Sequence, residues 1–224
     1  MNETPVKVWD LPVRLFHWLL AAAFIVLVIS GKVGGNLMLY HVYAGYAVLV
    51  LVLFRVAWGF AGSTHARFSS FLAGPSRCIS FARKLLTREP APSAGHNPPG
   101  GWMVLVLLVA LLVQAGTGLF SNDDIALEGP LYAVVSKELS DRLTSIHRLN
   151  SWLLITLAAV HVLAVLFHWL VKKENLIGAM FTGVKRLPAG IEDSTAARFV
   201  SPWRALSLFV AALAAVYLIV NRPF

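Results

Sequence analysis

Cysteine is almost absent: Cys78 stands alone among 224 residues. An internal disulfide and a thiolate metal site are thereby excluded. Charge is scarce as well. Only 13% of the residues are Asp, Glu, Lys or Arg, where a soluble domain typically has about a quarter. No segment recurs at a fixed period, which argues against a solenoid. No small-x-small cleavage site follows the first apolar run, "VLVISGKVGGN", and that run exceeds a signal-peptide core, so it reads as retained.

What fills the chain is apolar. Hydrophobic residues make up 58% of it, and the mean hydropathy is +0.71. Five stretches, near 13–31, 40–60, 101–120, 147–171 and 203–220, are long enough to cross a bilayer, for which about 20 helical residues suffice. Lipid tolerates only helices or a closed barrel. These runs are continuous and do not alternate, so helices are expected. The expectation is an all-α membrane protein in which residues 1–224 form one integral membrane domain.

The 19 Lys and Arg residues divide unevenly. Fourteen flank the N-terminus and the connections after the second and fourth spans; five lie on the other side. The positive-inside rule then puts the N-terminus in the cytoplasm and the C-terminus outside, in agreement with an odd number of spans. The net charge of +8 is mostly a topology signal, and no nucleic-acid motif accompanies it. The outer connection "SNDDIALEGPLYAVVSKELSD" carries Asp123, Asp124, Glu128, Glu138 and Asp141. It reads as a solvated loop or as a docking patch for a basic partner, since complementary charge steers encounter.

The fourth span, "LTSIHRLNSWLLITLAAVHVLAVLFHWLV", holds His147, His161 and His168. Ionisable side chains inside a membrane are expensive and carry a functional expectation. His147 and His161 are 14 residues apart, about 40° short of four full turns and about 21 Å along the axis, so they share a face. His41 opens the second span at the depth of His147. His17 lies 14 residues before Gly31, about 20 Å below the outer boundary and level with His161. The pairs are His41 with His147 and His17 with His161. Two facing imidazoles at each of two levels suit bis-histidine haem b. Zinc is the weaker alternative, because two ligands per level fall short of its usual set.

Gly45, Gly116 and Gly118 make room for a bulky ring or mediate ordinary helix packing. Arg14, Arg55 and Arg148 near span ends are candidate partners for haem propionates; snorkelling is their plainer role. His168 with Trp169 reads as an interfacial pair, with proton transfer beside a quinone as the sharper role. Asn97 and Pro98 in "GHNPPGG" read as a helix start. Residues 75–87 read as a short surface helix with Ile79, Ala82 and Leu86 at helical spacing. Trp18, Trp102, Trp152, Trp169 and Trp203 fit an aromatic belt. Residues 187–200 read as a flexible polar connection.

Several phrases resemble one family. "VWDLPVRLFHWLL" (8–20), "FRVAWGFAGSTHARFSSFLAGP" (54–75), "GHNPPGGWMV" (95–104) and "HVLAVLFHWLVKKENLIGAMFTGVKR" (161–186) are similar to di-haem cytochrome b subunits of the nickel-iron hydrogenase type, in the bacterial cytochrome b561 superfamily. The resemblance implies an up-down four-helix haem bundle plus a fifth C-terminal span in the bacterial inner membrane. It implies two haem b groups on His17, His41, His147 and His161. It further implies electron transfer in a respiratory chain between the quinone pool and a periplasmic redox partner such as a c-type cytochrome. A homodimer is compatible with it, as is a quinone oxidoreductase activity. A stand-alone quinone-linked superoxide oxidase is one competing reading, and a haem-free transporter using the histidines as proton relays is another.

Overall fold

The computed structural model describes residues 3–86, 93–125, 127–188 and 197–221. In chain order, β1 (Glu3–Lys7) is followed by α1 (Leu11–Val33), α2 (Met38–Ala61), the single turn α3 (Phe68–Phe71), α4 (Pro75–Leu86) and α5 (Pro98–Gly118). Then come α6 (Lys137–Leu170), α7 (Leu176–Thr182), β2 (Val184–Pro188) and α8 (Pro202–Val220). Helices α1, α2, α5, α6 and α8 are long and apolar enough to cross a membrane. Large apolar side chains along them, such as Ile25, Leu163 and Leu213, face outwards. Water would penalise that surface and lipid does not. The five tryptophans assigned to the aromatic belt are all exposed, whereas Trp9 and Trp58 are buried. The protein is an all-α, multi-pass membrane protein.

The chain divides into two compact units. The first comprises Met1–Leu15, Ala57–Val106 and Ala159–Ala205. Asp10 caps α1 by accepting from Val13 N (2.9 Å), and its other oxygen accepts from the indole N–H of Trp58 (3.0 Å). Trp58 is fully buried, so the "WD" of the N-terminal phrase is a packed lock. Gly183 ends α7 at φ +82°, a conformation that suits glycine. Its carbonyl accepts from Val8 N (2.8 Å) and Trp9 N (3.1 Å). Beside it, β1 pairs antiparallel with β2 from Glu3↔Pro188 to Lys7↔Val184.

This small sheet corrects the expectation for residues 187–200. Leu187 and Pro188 belong to β2, and Leu187 is buried. Residues 189–196 lie outside the described residues. Arg198 and Val200 are tied down, the first by reciprocal bonds with Thr64 and the second by Val200 N donating to Ser63 Oγ (3.1 Å). Asn97 caps α5 through Gly100 N (2.7 Å), and residues 75–86 are helical as α4.

His168 and Trp169 differ in surroundings: Trp169 is exposed and His168 is buried. His168 Nδ1 donates to Glu174 (2.7 Å), and Nε2 accepts from the Asn97 amide (3.5 Å). Glu174 also meets Lys185 Nζ (2.5 Å), which donates to Ser93 O (2.5 Å). Burial opposes the ionised Glu174. The His168 bond and the Lys185 ammonium more than offset that, holding its pKa at about 2.

The second unit comprises Phe16–Val56, Leu107–Ala158 and Leu206–Phe224. Within it α5 and α6 run antiparallel, joined by Asn150 Nδ2 donating to Ala110 O (2.9 Å) and Gln114 Oε1 (2.7 Å). Helix α6 starts at Lys137, ten residues before the apolar run, and so absorbs the end of the expected acidic loop. Its first turns are polar but well made. Ser136 Oγ accepts from Leu139 N (3.3 Å), and Lys137–Asp141 and Glu138–Arg142 pair one turn apart at 2.6 Å each. Lys137 also meets Asp124 (2.6 Å). At least three of the five acidic side chains thus have a cation of this chain beside them, which weakens the patch as a lure for a basic partner.

Candidate functional site

The site is built where the second unit brings two spans together. The rings of His41 on α2 and His147 on α6 lie 6.2 Å apart, centroid to centroid, at an interplanar angle of 72°. His41 Nδ1 lies 3.0 Å from Leu27 O and 3.2 Å from Ser30 Oγ, both on α1. His147 Nδ1 lies 2.9 Å from Gln114 O and 3.3 Å from Thr117 Oγ1, both on α5. A carbonyl oxygen only accepts, so each Nδ1 carries the proton and donates. The tautomer is thereby fixed, and Nε2 keeps the lone pair that binds a metal.

The spacing fits one metal ion between the rings. Two metal–nitrogen bonds of about 2 Å and two ring half-widths of about 1 Å give about 6 Å. The ring planes rotate freely about such bonds, so 72° is no obstacle. Among the described residues no group of three or more His, Cys, Asp or Glu is placed to hold a metal ion. The donor set here is two neutral imidazoles, which suits an iron whose other four positions are filled by a porphyrin. At Gly45 and Gly116 an added Cβ would meet no protein atom within 4 Å. The residues fit haem b.

The other expected residues divide between the two units. His17 belongs to the second unit, with its ring 4.9 Å from that of Trp18. His161 belongs to the first unit and is half-buried. Arg55 is 2% exposed on α2, 14 residues beyond His41. Arg14 donates to Phe181 O, next to Gly183, and Arg148 is exposed. Sequence reasoning missed Leu27, Ser30, Gly31, Gln114, Thr117 and Asn150. The available signal was a hydroxyl followed by glycine at the end of two spans, "SG" (30–31) and "TG" (117–118).

A multi-pass helical membrane protein whose spans present tautomer-locked, facing imidazoles is a membrane cytochrome b. The comparison with known families makes this specific. The model of the prokaryotic cytochrome b561 family matches residues 8–183, and the chain belongs to that family. Curated relatives point the same way. The "Probable Ni/Fe-hydrogenase B-type cytochrome subunit" of Bradyrhizobium diazoefficiens is 26% identical, over 83% of this chain and 88% of the relative. The protein of the same name from Rhizobium leguminosarum bv. viciae is 26% identical, over 86% and 93%. The "Probable Ni/Fe-hydrogenase 1 B-type cytochrome subunit" of Escherichia coli is 25% identical, over 82% and 92%. No solved structure matches significantly. Transmembrane electron transfer by a b-type cytochrome is therefore the activity.

Proposed function

We propose that the chain conducts electrons across a bacterial inner membrane between the quinone pool and a periplasmic redox protein. Its N-terminus is cytoplasmic and its C-terminus periplasmic, following the 14-to-five division of Lys and Arg. His41 and His147 hold one haem b near the periplasmic face, and His17 and His161 hold a second near the cytoplasmic face. Held by these residues, haem b would supply one-electron redox chemistry. The observation that carries this reading is the His41–His147 pair, each ring tied at Nδ1 to a neighbouring helix.

The chain's own residues do the rest. The helix-to-helix bonds at Nδ1 keep both imidazoles in one orientation in either oxidation state, so little rearrangement accompanies transfer. The inner pair is supported by the depth match of the sequence and by His147 and His161 sharing the continuous helix α6. Arg55, buried 14 residues beyond His41, supplies positive charge about 21 Å further along α2, suited to a propionate. In the first unit a cavity of about 220 Å³ is lined by Thr64, His65, Ser70, Phe71, Gly95 and His96. The His96 ring lies 4.7 Å from both Trp9 and Phe71. Aromatic walls with imidazole and hydroxyl groups suit a quinone ring, the imidazoles accepting the protons that quinol oxidation releases. The partner is a c-type cytochrome; the relatives' names bring a Ni/Fe-hydrogenase as the other candidate.

Pyridine-haemochrome quantitation tests the cofactor. Purified protein should hold two haem b per chain, and His41→Ala should hold one. Retention of two by that variant would overturn the outer pairing. His96→Leu should keep both haems and slow reduction by a soluble quinol at least tenfold. An unchanged rate removes the cavity from the quinone reading.

A further inference from the structure

The surroundings of His41 and His147 are the same motif built twice. On α1 the carbonyl of Leu27, the hydroxyl of Ser30 and the bare Cα of Gly31 face His41. On α5 the carbonyl of Gln114, the hydroxyl of Thr117 and the bare Cα of Gly118 face His147. The offsets are identical, n, n+3 and n+4, which lie on one helix face. The distances agree too. Nδ1 to carbonyl is 3.0 and 2.9 Å, and Nδ1 to hydroxyl is 3.2 and 3.3 Å. A Cβ added at either glycine would stand 2.9 and 3.0 Å from the imidazole Cε1.

We propose that Ser30–Gly31 and Thr117–Gly118 are a duplicated positioning cradle that aims both imidazoles of this site and sets how strongly they donate electron density to the iron. The proposal rests on His41 and His147 being haem ligands. Each hydroxyl donates backwards along its own helix, Ser30 to Val26 O (2.6 Å) and Thr117 to Val113 O (2.7 Å). With its proton committed there, the oxygen presents lone pairs to Nδ1–H. The imidazole N–H is thus shared between two acceptors, a carbonyl and a hydroxyl. Stronger acceptance at Nδ1 makes Nε2 more basic, and a more basic ligand favours the oxidised metal. The glycine lets the ring lie flush against the neighbouring helix, so the ring cannot swing. Ordinary back-bonding of Ser and Thr in a helix explains the hydroxyl rotamers. It does not explain the repeated glycine or the repeated approach to Nδ1.

Optical redox titration of purified full-length protein separates an electronic role from a packing role. The Ser30→Ala and Thr117→Val double variant should keep two haems and raise the midpoint potential of one. The expected shift is about tenfold in the reduction equilibrium, about 59 mV for one electron, with each single variant giving a smaller rise. Ser30→Thr and Thr117→Ser should restore the parent potential. Gly31→Ala should alter the low-spin spectrum of that haem or release it. Full haem content with an unshifted potential in the double variant would overturn the electronic role, and an unaltered Gly31→Ala spectrum the steric one. Failure of the ligand assignment shows separately, as two haems surviving in His41→Ala.

Discussion

A single histidine in a run of apolar residues is informative because it has few reasons to be there. His41 and His147 stand out in the sequence for that cause, and the structure brings their rings together. The residues that orient them were not legible. Ser30, Gly31, Thr117 and Gly118 look like ordinary helix-packing residues until the facing ring is located, and the distance from glycine to histidine differs between the two halves. His168 is the converse case: it stands out in the sequence, yet both its nitrogens are occupied by Glu174 and Asn97. His168→Ala should therefore retain the parent's haem content by pyridine haemochrome. Trp58 shows what a buried bond is worth at this scale. Trp58→Phe leaves an Asp10 oxygen without its donor, which should cost about 1–3 kcal/mol, read as a lowered midpoint of thermal unfolding in detergent.

At the scale of elements, hydropathy located the five spans and misjudged one boundary. It marks where a helix is apolar, whereas α6 begins in a polar stretch held by a serine cap and one-turn ion pairs. The β1–β2 sheet was invisible because two five-residue strands, each containing a proline (Pro5 and Pro188), carry little periodicity of their own. The group joining α5, α6 and β2 gives a pH dependence. Glu174 is ionised in the folded protein down to about 2, below the ordinary glutamate value of about 4.3. Its contribution to stability is present above the ordinary value and is lost as pH falls through that window to the folded one. Glu174→Gln should thus lower the thermal midpoint at pH 7, and the gap to the parent should narrow steadily between about pH 4.5 and pH 2. A gap independent of pH would assign the bond a purely steric value.

At the scale of the whole molecule, charge placement is the readable quantity. The sequence predicts five crossings with the basic connections inside, and five helices of the required length and apolarity are present among the described residues. A C-terminal alkaline phosphatase fusion should be active, and the same reporter placed after Leu86 inactive. The reverse pattern would invert the topology. The cavity beside His65 and His96 was beyond reach from sequence because its lining comes from two separate stretches, around residues 64–71 and 94–96. Nothing local links them.

The sheet that joins the two ends of the first unit has a bearing on biogenesis. Lys7 pairs with Val184, so the first strand leaves the ribosome long before its partner exists. At about 5–20 residues per second, that interval is roughly 10–40 s. During it the amino-terminal strand is a free edge beside a membrane already receiving helices. A ribosome stalled short of residue 184 would present that edge to proteases, and protection of the amino-terminal segment would report that synthesis had passed β2.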